Sequence, residues 1–308
     1  MNLISSYGTI LAGIAIIIIF SILSPSSFAT FDNFINITRQ ISFLVMIAIG
    51  ATLVMSVKEF DLSIGAMASL GGVLSAKLAA SGIPIVICLL IPVVVGFLIG
   101  FINGGIVTKF RVLSFVTTLA MGTILGGVTF WLTGGSTVFE NIPATFTWLG
   151  QSKVGFLPLL SLIMFVLVVI FWYVLSHTVL GRRLYAIGGN EKASLVSGIP
   201  IAFYKNIAFA LCGMLAALTG ALLASRLGSA HPTGGDGFFL NAYAAVFLGM
   251  TVARNGTPNI LGTLYGAAIL GIMANGLTIL EVPTFIQNII TGLIIITALI
   301  SQKLGKEK

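Results

Sequence analysis

Apolar runs of about 17–25 residues, long enough to cross a bilayer as a helix, recur along the whole chain. Charges, prolines and glycine-rich turns separate them. Ten are predicted, at approximately 7–23, 41–57, 62–80, 84–108, 114–133, 156–176, 204–225, 239–252, 259–278 and 284–301. The eighth has only about two-thirds of the crossing length and is flanked by Gly234, Gly235, Gly237 and Gly249, so it reads as broken or re-entrant. The first has no basic stretch before it and no small-residue cleavage site after it. It is expected to be a retained transmembrane helix rather than a signal peptide.

Composition agrees with this pattern. Only 7% of the residues are charged and 57% are hydrophobic, with a mean hydropathy of +1.13. A soluble domain carries about 25% charged residues because its surface faces water; here lipid must solvate that surface. The expected fold class is therefore all-α, a polytopic membrane helix bundle in which residues 1–308 form a single domain in the cell membrane.

The net charge of +7 is spread as single Lys and Arg residues between apolar runs, which points to membrane orientation rather than to nucleic acid. With both termini in the cytoplasm (N-in, C-in), eleven basic residues fall on the inner side: Lys58, Lys109, Arg111, Arg182, Arg183, Lys192, Lys205, Arg254, Lys303, Lys306 and Lys308. Only Arg39, Lys77, Lys153 and Arg226 fall outside, while the eight acidic residues divide evenly. Among the 36 glycines, Gly96, Gly100 and Gly104 form a smooth stripe on the fourth run, and Gly262 and Gly266 do so on the ninth. Those two runs end alike, in Phe101-Ile102-Asn103-Gly104 and Met273-Ala274-Asn275-Gly276, with opposite senses in the membrane. Inverted repeats would give this pattern; so would ordinary glycine-rich helix packing.

Several chemistries lack their residues. Every Asp, Glu, Lys and Arg lies in a loop or near a run's end, leaving no proton relay at the midplane, and no filter signature marks an ion channel. No G-x-x-x-x-G-K-[ST] loop is present to bind ATP. His177 and His231 are loop residues without a nucleophile-elbow partner. Cys88 and Cys212 sit inside apolar runs, without metal-ligand spacing. The chain is thus expected to be no enzyme, with no catalytic or metal-ligating residues and no cofactor of its own. If it is a pump, its motor is on another protein.

The long inner loop, 177–203, is where a motor has somewhere to bind. Gly188-Gly189 reads as a flexible turn, Asn190 as an N-cap and Glu191 as a first-turn acid at the positive helix end. Residues 191–197 have the length of about two helical turns, Gly198 supplies the stop, and Pro200 prevents continuation. Ala193 and Ser194 are expected on the surface of this short helix, which is either a docking element or a plain connector.

The wording of this loop is also familiar. Gly181-Arg182-Arg183-Leu184-Tyr185-Ala186-Ile187-Gly188-Gly189-Asn190, with Ala193 and Ser197-Gly198-Ile199, resembles the cytoplasmic loop of sugar-type ABC importer permeases, the ribose permease family of binding-protein-dependent inner membrane components. Asp61-Leu62-Ser63-Ile64-Gly65 resembles that family's D-L-S-V-G motif. Asn103-Gly104, Arg111-Val112 and Thr117-Thr118-Leu119 follow in its order, as do Asn241-Ala242, Val246-Phe247-Leu248-Gly249 and Gly262-Thr263. The sequence differs from the family pattern at 231–241 and 250–256. The resemblance covers the chain from about residue 30. It implies a permease subunit for a ribose-like monosaccharide, paired with a second permease chain (identical or similar). ABC-type ATPase subunits would carry ATP and Mg, and an extracellular or periplasmic binding protein would deliver the solute. Another small polar solute, such as an autoinducer sugar, nucleoside or branched-chain amino acid, fits the same architecture; an ion-coupled carrier is the rival from another class.

On this resemblance Gly188, Gly189, Asn190, Glu191, Ala193, Ser197, Gly198 and Ile199 form the ATPase-coupling segment. Candidates for the translocation pathway are Asp61, Ser63, Asn103, Thr117, Thr118 and Asn275. Asp61 is equally suited to cap the helix from residue 62, Asn103 and Asn275 to hydrogen-bond between helices, and the two threonines to bond their own helix backbone.

Overall fold

The computed structural model describes residues 3–252 and 256–306. Arg254, Glu307 and Lys308, counted above for orientation, lie outside the described residues, as does the 253–255 part of the turn that differs from the family pattern. The described residues form thirteen helices: α1 Leu3–Leu23, α2 Phe31–Ser56, α3 Ile64–Ala80, α4 Ile85–Phe110, α5 Ser114–Thr133, α6 Ala144–Gln151, α7 Leu159–His177, α8 Val179–Gly189, α9 Glu191–Val196, α10 Ile201–Leu227, α11 Phe238–Val252, α12 Ile260–Ile279 and α13 Thr284–Lys306. Strands β1 (Lys153–Val154) and β2 (Leu157–Pro158) make a two-residue antiparallel hairpin between α6 and α7.

Each predicted apolar run is occupied by a helix. The largest boundary error is at α2, which starts at Phe31 rather than near 41. Thr30 caps it by accepting from the Asn33 backbone N–H at 3.2 Å, and Asp32 lies in the first turn. That cap outweighs the polar look of the segment. Among the described residues six helices are long and apolar enough to cross a membrane: α2, α4, α5, α7, α10 and α12.

Two of these form the centre of the bundle. The most apolar windows of α2 and α10 are 78% and 72% buried, against 22% for α4 and α5. Apolar side chains on α4, α5 and α7 such as Leu98, Phe115, Trp131 and Val169 point away from the protein, as expected where lipid is the solvent. The glycine stripe of α4 does the predicted work. Gly96, Gly100 and Gly104 press on the α10 backbone at Gly213, Phe209 and Asn206, where a Cβ has no room. Gly262 and Gly266 of α12 press likewise on Gly249 and Ala245 of α11. Backbones approach this closely only through residues without side chains.

Two helices are short. At about 1.5 Å per residue, α3 and α11 rise roughly 25 and 22 Å, less than the ~30 Å hydrocarbon core. Each is preceded by a non-helical segment, 57–63 before α3 and 228–237 before α11.

Candidate functional site

The two breaks enter the bundle from opposite ends and meet. Segment 57–63 starts at the end that carries α8 and α9, where Glu59 is paired through Lys205. Segment 228–237 starts at the end that carries α6, where Ala230 bridges Val138 and the Ser225 hydroxyl accepts from the Gly150 N–H at 2.9 Å. Deep between them, the Gly235 N–H donates to the Ser69 hydroxyl of α3 at 2.9 Å, and Gly65 lies so close to the Gly235 carbonyl that a Cβ would approach it to 3.0 Å.

Irregular backbone inside a bundle must find partners for its polar groups, and side chains from three directions satisfy segment 57–63. The Phe60 N–H donates to the Ser114 hydroxyl (3.2 Å) and the Leu62 N–H to the Thr118 hydroxyl (2.9 Å), both on α5. The Asp61 N–H donates to the Tyr243 hydroxyl of α11 (2.6 Å), which donates back to the Asp61 carbonyl (3.1 Å). Asp61 Oδ1 accepts from the Ser63 N–H (2.9 Å) and from the Ser63 hydroxyl (2.5 Å), and Asn103 Nδ2 of α4 donates to Ser63 Oγ (3.1 Å).

Asp61, Ser63, Asn103 and Thr118 are fully buried. Three oxygens of this region have no partner among the described residues: Asp61 Oδ2, Asn103 Oδ1 and Thr117 Oγ1. A buried acceptor without a donor is costly, so these atoms mark where a hydroxylated molecule or water has something to bind.

The predicted pathway residues thus separate. Asp61, Ser63, Asn103 and Thr118 converge, with Thr117 adjacent in α5. Asn275 is elsewhere, exchanging hydrogen bonds with Asn33 at the start of α2 (3.0 and 3.1 Å); its setting is the interhelical one. Asp61 is not the N-cap of α3, because Ser63 occupies that position; the carboxylate, two residues earlier, instead closes a turn onto the Ser63 N–H. Thr118 also donates to its own helix at the Ser114 carbonyl (2.8 Å), the backbone bond expected of it.

At the α8–α9 end the short helix forms as expected, with one correction and one surprise. Asn190 Oδ1 accepts from the Ala193 N–H at 3.0 Å, and Gly198 ends the helix at φ +78°. Of the two predicted surface residues Ala193 is exposed, but Ser194 is buried and its hydroxyl donates to the Asn190 carbonyl, whereas Leu195 and Val196 are 65% and 90% exposed. Gly188 and Gly189 are not a turn but the last residues of α8, because Gly188 lies directly on the Ser56 carbonyl at the end of α2. Ala193, Ser197 and Gly198 are exposed, and Ile199 is partly buried. Tyr185 of α8 donates to the Pro258 carbonyl at 2.8 Å, and burial pushes its phenol up to about 12. A cavity of about 700 Å³ lies between this end and the first break, with Ser56, Glu59, Phe60, Tyr185, Gly188 and Pro258 among its walls. Among the described residues no three His, Cys, Asp or Glu side chains converge on a metal-sized site.

The family described as branched-chain amino acid transport system / permease component matches residues 33–299, both breaks and the surface helix included. The chain belongs to this permease family. It is 39% identical over 295 residues to the ribose import permease protein RbsC of Escherichia coli (strain K12), covering 95% of this chain and 92% of the relative. The Bacillus subtilis (strain 168) protein of the same name is 38% identical, over 95% of this chain and 91% of the relative. The D-allose transport system permease protein AlsC of Escherichia coli (strain K12) is 33% identical over 97% and 91%. No solved structure matches the chain.

Sequence reasoning missed several residues of this permease. Tyr243 was not singled out, yet its hydroxyl bonds both the N–H and the C=O of Asp61. Lys205, counted only as an inner-side charge, is 7% exposed and paired twice. The one available signal was its position, five residues after Pro200 at the mouth of a long apolar helix, where a charge needs partners. Leu195 and Val196 were legible as apolar residues in a polar loop and were passed over.

Proposed function

We propose that this permease is the membrane-spanning subunit of an ATP-driven ABC importer for a ribose-like monosaccharide, working in the cytoplasmic membrane. The observation that carries this reading is the similarity to ribose import permeases over nearly the full length of both chains. The ten-span arrangement with both termini in the cytoplasm is supported by the distribution of Lys and Arg. The inverted repeat is supported by the two short helices, α3 and α11, each following a break that enters from the opposite end. Residues 1–308 act as one membrane domain.

In this reading α9 is the coupling helix of the 177–203 loop. Leu195 and Val196 are apolar side chains exposed in a polar loop, where a groove on a partner ATPase would cover them. Glu191, Ala193, Ser197 and Gly198 would border that contact. Gly188, Gly189, Asn190 and Ile199 would hold the helix at its angle. ATP and Mg would be bound by the ATPase, and this chain supplies no cofactor. A second permease chain would complete the pathway, and a binding protein would deliver the sugar at the far side. Asp61, Ser63, Asn103, Thr117 and Thr118 would line the pathway near its middle, offering few hydrogen bonds so that the sugar is not held.

Reconstitution tests the proposal. Proteoliposomes holding the permease, its ATPase and the cognate binding protein should take up ribose or a related sugar only when ATP is supplied. Uptake by the permease alone on an ion gradient would overturn it.

A further inference from the structure

The docking helix and the buried break are joined by one side chain. Lys205 stands in the second turn of α10 and is 7% exposed. Its ammonium lies 2.7 Å from Glu59 Oε1 and 3.0 Å from Glu191 Oε2. Among the described residues these are the two Lys–carboxylate or Arg–carboxylate pairs, and both involve the same lysine. Glu191 is in the first turn of α9, whereas Glu59 belongs to the segment that carries Asp61 two residues later.

We propose that Lys205 is a positioning residue that relays the displacement of α9 to the 57–63 break. The idea rests on α9 being the ATPase-docking helix. A buried ammonium has to keep its counter-charges, so it follows whichever carboxylate moves. The two partners are unequal: the Glu59 side chain is 18% exposed and the Glu191 side chain 56%. The Glu191 bond carries a shift of α9 to the ammonium, and the shorter, drier Glu59 bond passes it on to the break.

The surrounding contacts confine the motion to this path. Gly188 pins the end of α8 on the Ser56 carbonyl, and Tyr185 ties α8 to the Pro258 carbonyl. Movement of α9 relative to α10 is therefore concentrated at Asn190 and at the Glu191–Lys205 bridge. Downstream, the backbone from Phe60 to Ser63 is gripped residue by residue by α5, α11 and Asp61 itself. A pull on Glu59 thus reaches the Ser114, Thr118 and Tyr243 hydroxyls without slack.

The test uses the complete complex in proteoliposomes and reads sugar taken up per ATP hydrolysed. A Glu191→Gln change, at a half-exposed position that tolerates substitution, and Glu59→Gln should each lower that ratio about tenfold, the equivalent of one charge-assisted hydrogen bond. Lys205→Arg, which keeps the charge and both contacts, should retain the wild-type ratio. A purely structural role would reduce uptake and hydrolysis together and leave the ratio alone; an unchanged ratio in Glu191→Gln and Glu59→Gln overturns the relay. Crosslinking from Val196→Cys to the ATPase separates the two ideas. Without a crosslink the docking reading fails and the relay with it, whereas a crosslink with unchanged ratios refutes the relay alone.

Discussion

Replacing Tyr243 by Phe removes a single oxygen from the centre of the protein. The ring remains in place, packed on Phe60 and Phe239 with centroids 5.4 and 5.6 Å away. Two hydrogen bonds go with that oxygen, one received from the Asp61 N–H and one given to the Asp61 carbonyl. Asp61 is fully buried and Tyr243 is 5% exposed, so no bulk water replaces them. An orphaned buried group costs about 1–3 kcal/mol, although hydrogen bonds between membrane helices have averaged nearer ~0.6 kcal/mol. Two orphans on one residue put the loss at roughly 2–4 kcal/mol, or a fall of about 5 °C or more in Tm. The protein carries a convenient reporter, because both free cysteines, Cys88 and Cys212, are buried. A thiol-reactive dye therefore reads unfolding directly in detergent. Thr118→Val, which takes the acceptor only from the Leu62 N–H, should fall by about half as much. Tyr173→Phe, on an exposed ring stacked over His177, is the control and should not shift. A Tyr243→Phe midpoint within about 1 °C of wild type would mean that each orphan costs far less than assumed, and would refute the claim that this hydroxyl holds the break.

Other perturbations read different parts of the protein. Gly198→Leu forces a side chain into φ +78°, a local strain of about 1–2 kcal/mol. ATP-driven uptake should collapse while the dye-detected Tm of the permease falls by only about 2–8 °C; normal coupled uptake would remove the docking role of α9. Gly220→Leu places a side chain on the Ala68 backbone where a Cβ already has no room, and the expected result is loss of the monodisperse peak in size-exclusion chromatography. Asn275→Leu breaks the reciprocal pair with Asn33, costing about 1 kcal/mol and roughly 2–4 °C with sugar uptake retained. Uptake lost at unchanged stability would return Asn275 to the pathway.

What the sequence made legible followed from local chemistry. The apolar runs located every long helix, because length and hydropathy alone decide whether a segment crosses lipid. The glycine stripes on α4 and α12 pointed to real backbone contacts, and Asn190, Glu191 and Gly198 framed α9 because caps and stops act within a few residues. The errors arose where a distant partner decides the outcome. Gly188-Gly189 read as a turn because nothing nearby announces the Ser56 carbonyl beneath it. Asp61 read as a helix cap because nothing nearby announces that Tyr243, 182 residues away, and Thr118 hold the backbone of residues 61 and 62 outside the helix, which moves the cap to Ser63. Ser194 read as surface because a two-turn helix is too short for its periodicity to say which side is covered.

The scarcity of charge noted at the outset has a consequence for transport. Nearly every polar group in the central cluster is already engaged with the 57–63 segment: Ser114, Thr118 and Tyr243 with amide N–H groups, Asp61 Oδ1 with the Ser63 N–H, and Asn103 Nδ2 with the Ser63 hydroxyl. Three oxygens, on Asp61, Asn103 and Thr117, have no partner among the described residues; under the proposed function they would meet a passing hydroxyl. A pentose presents more hydroxyl groups than that, and selecting one sugar from another requires most of them to be matched, since an unmatched buried group is what penalises the wrong ligand. Three acceptors with no matching array of donors make a poor selector and a good slide. Under the proposed function the selection therefore belongs to the delivering protein, and exchanging that partner should change the transported sugar without any substitution in this chain. A change of sugar obtained only by substituting Asp61, Asn103 or Thr117 would place selectivity in the break instead.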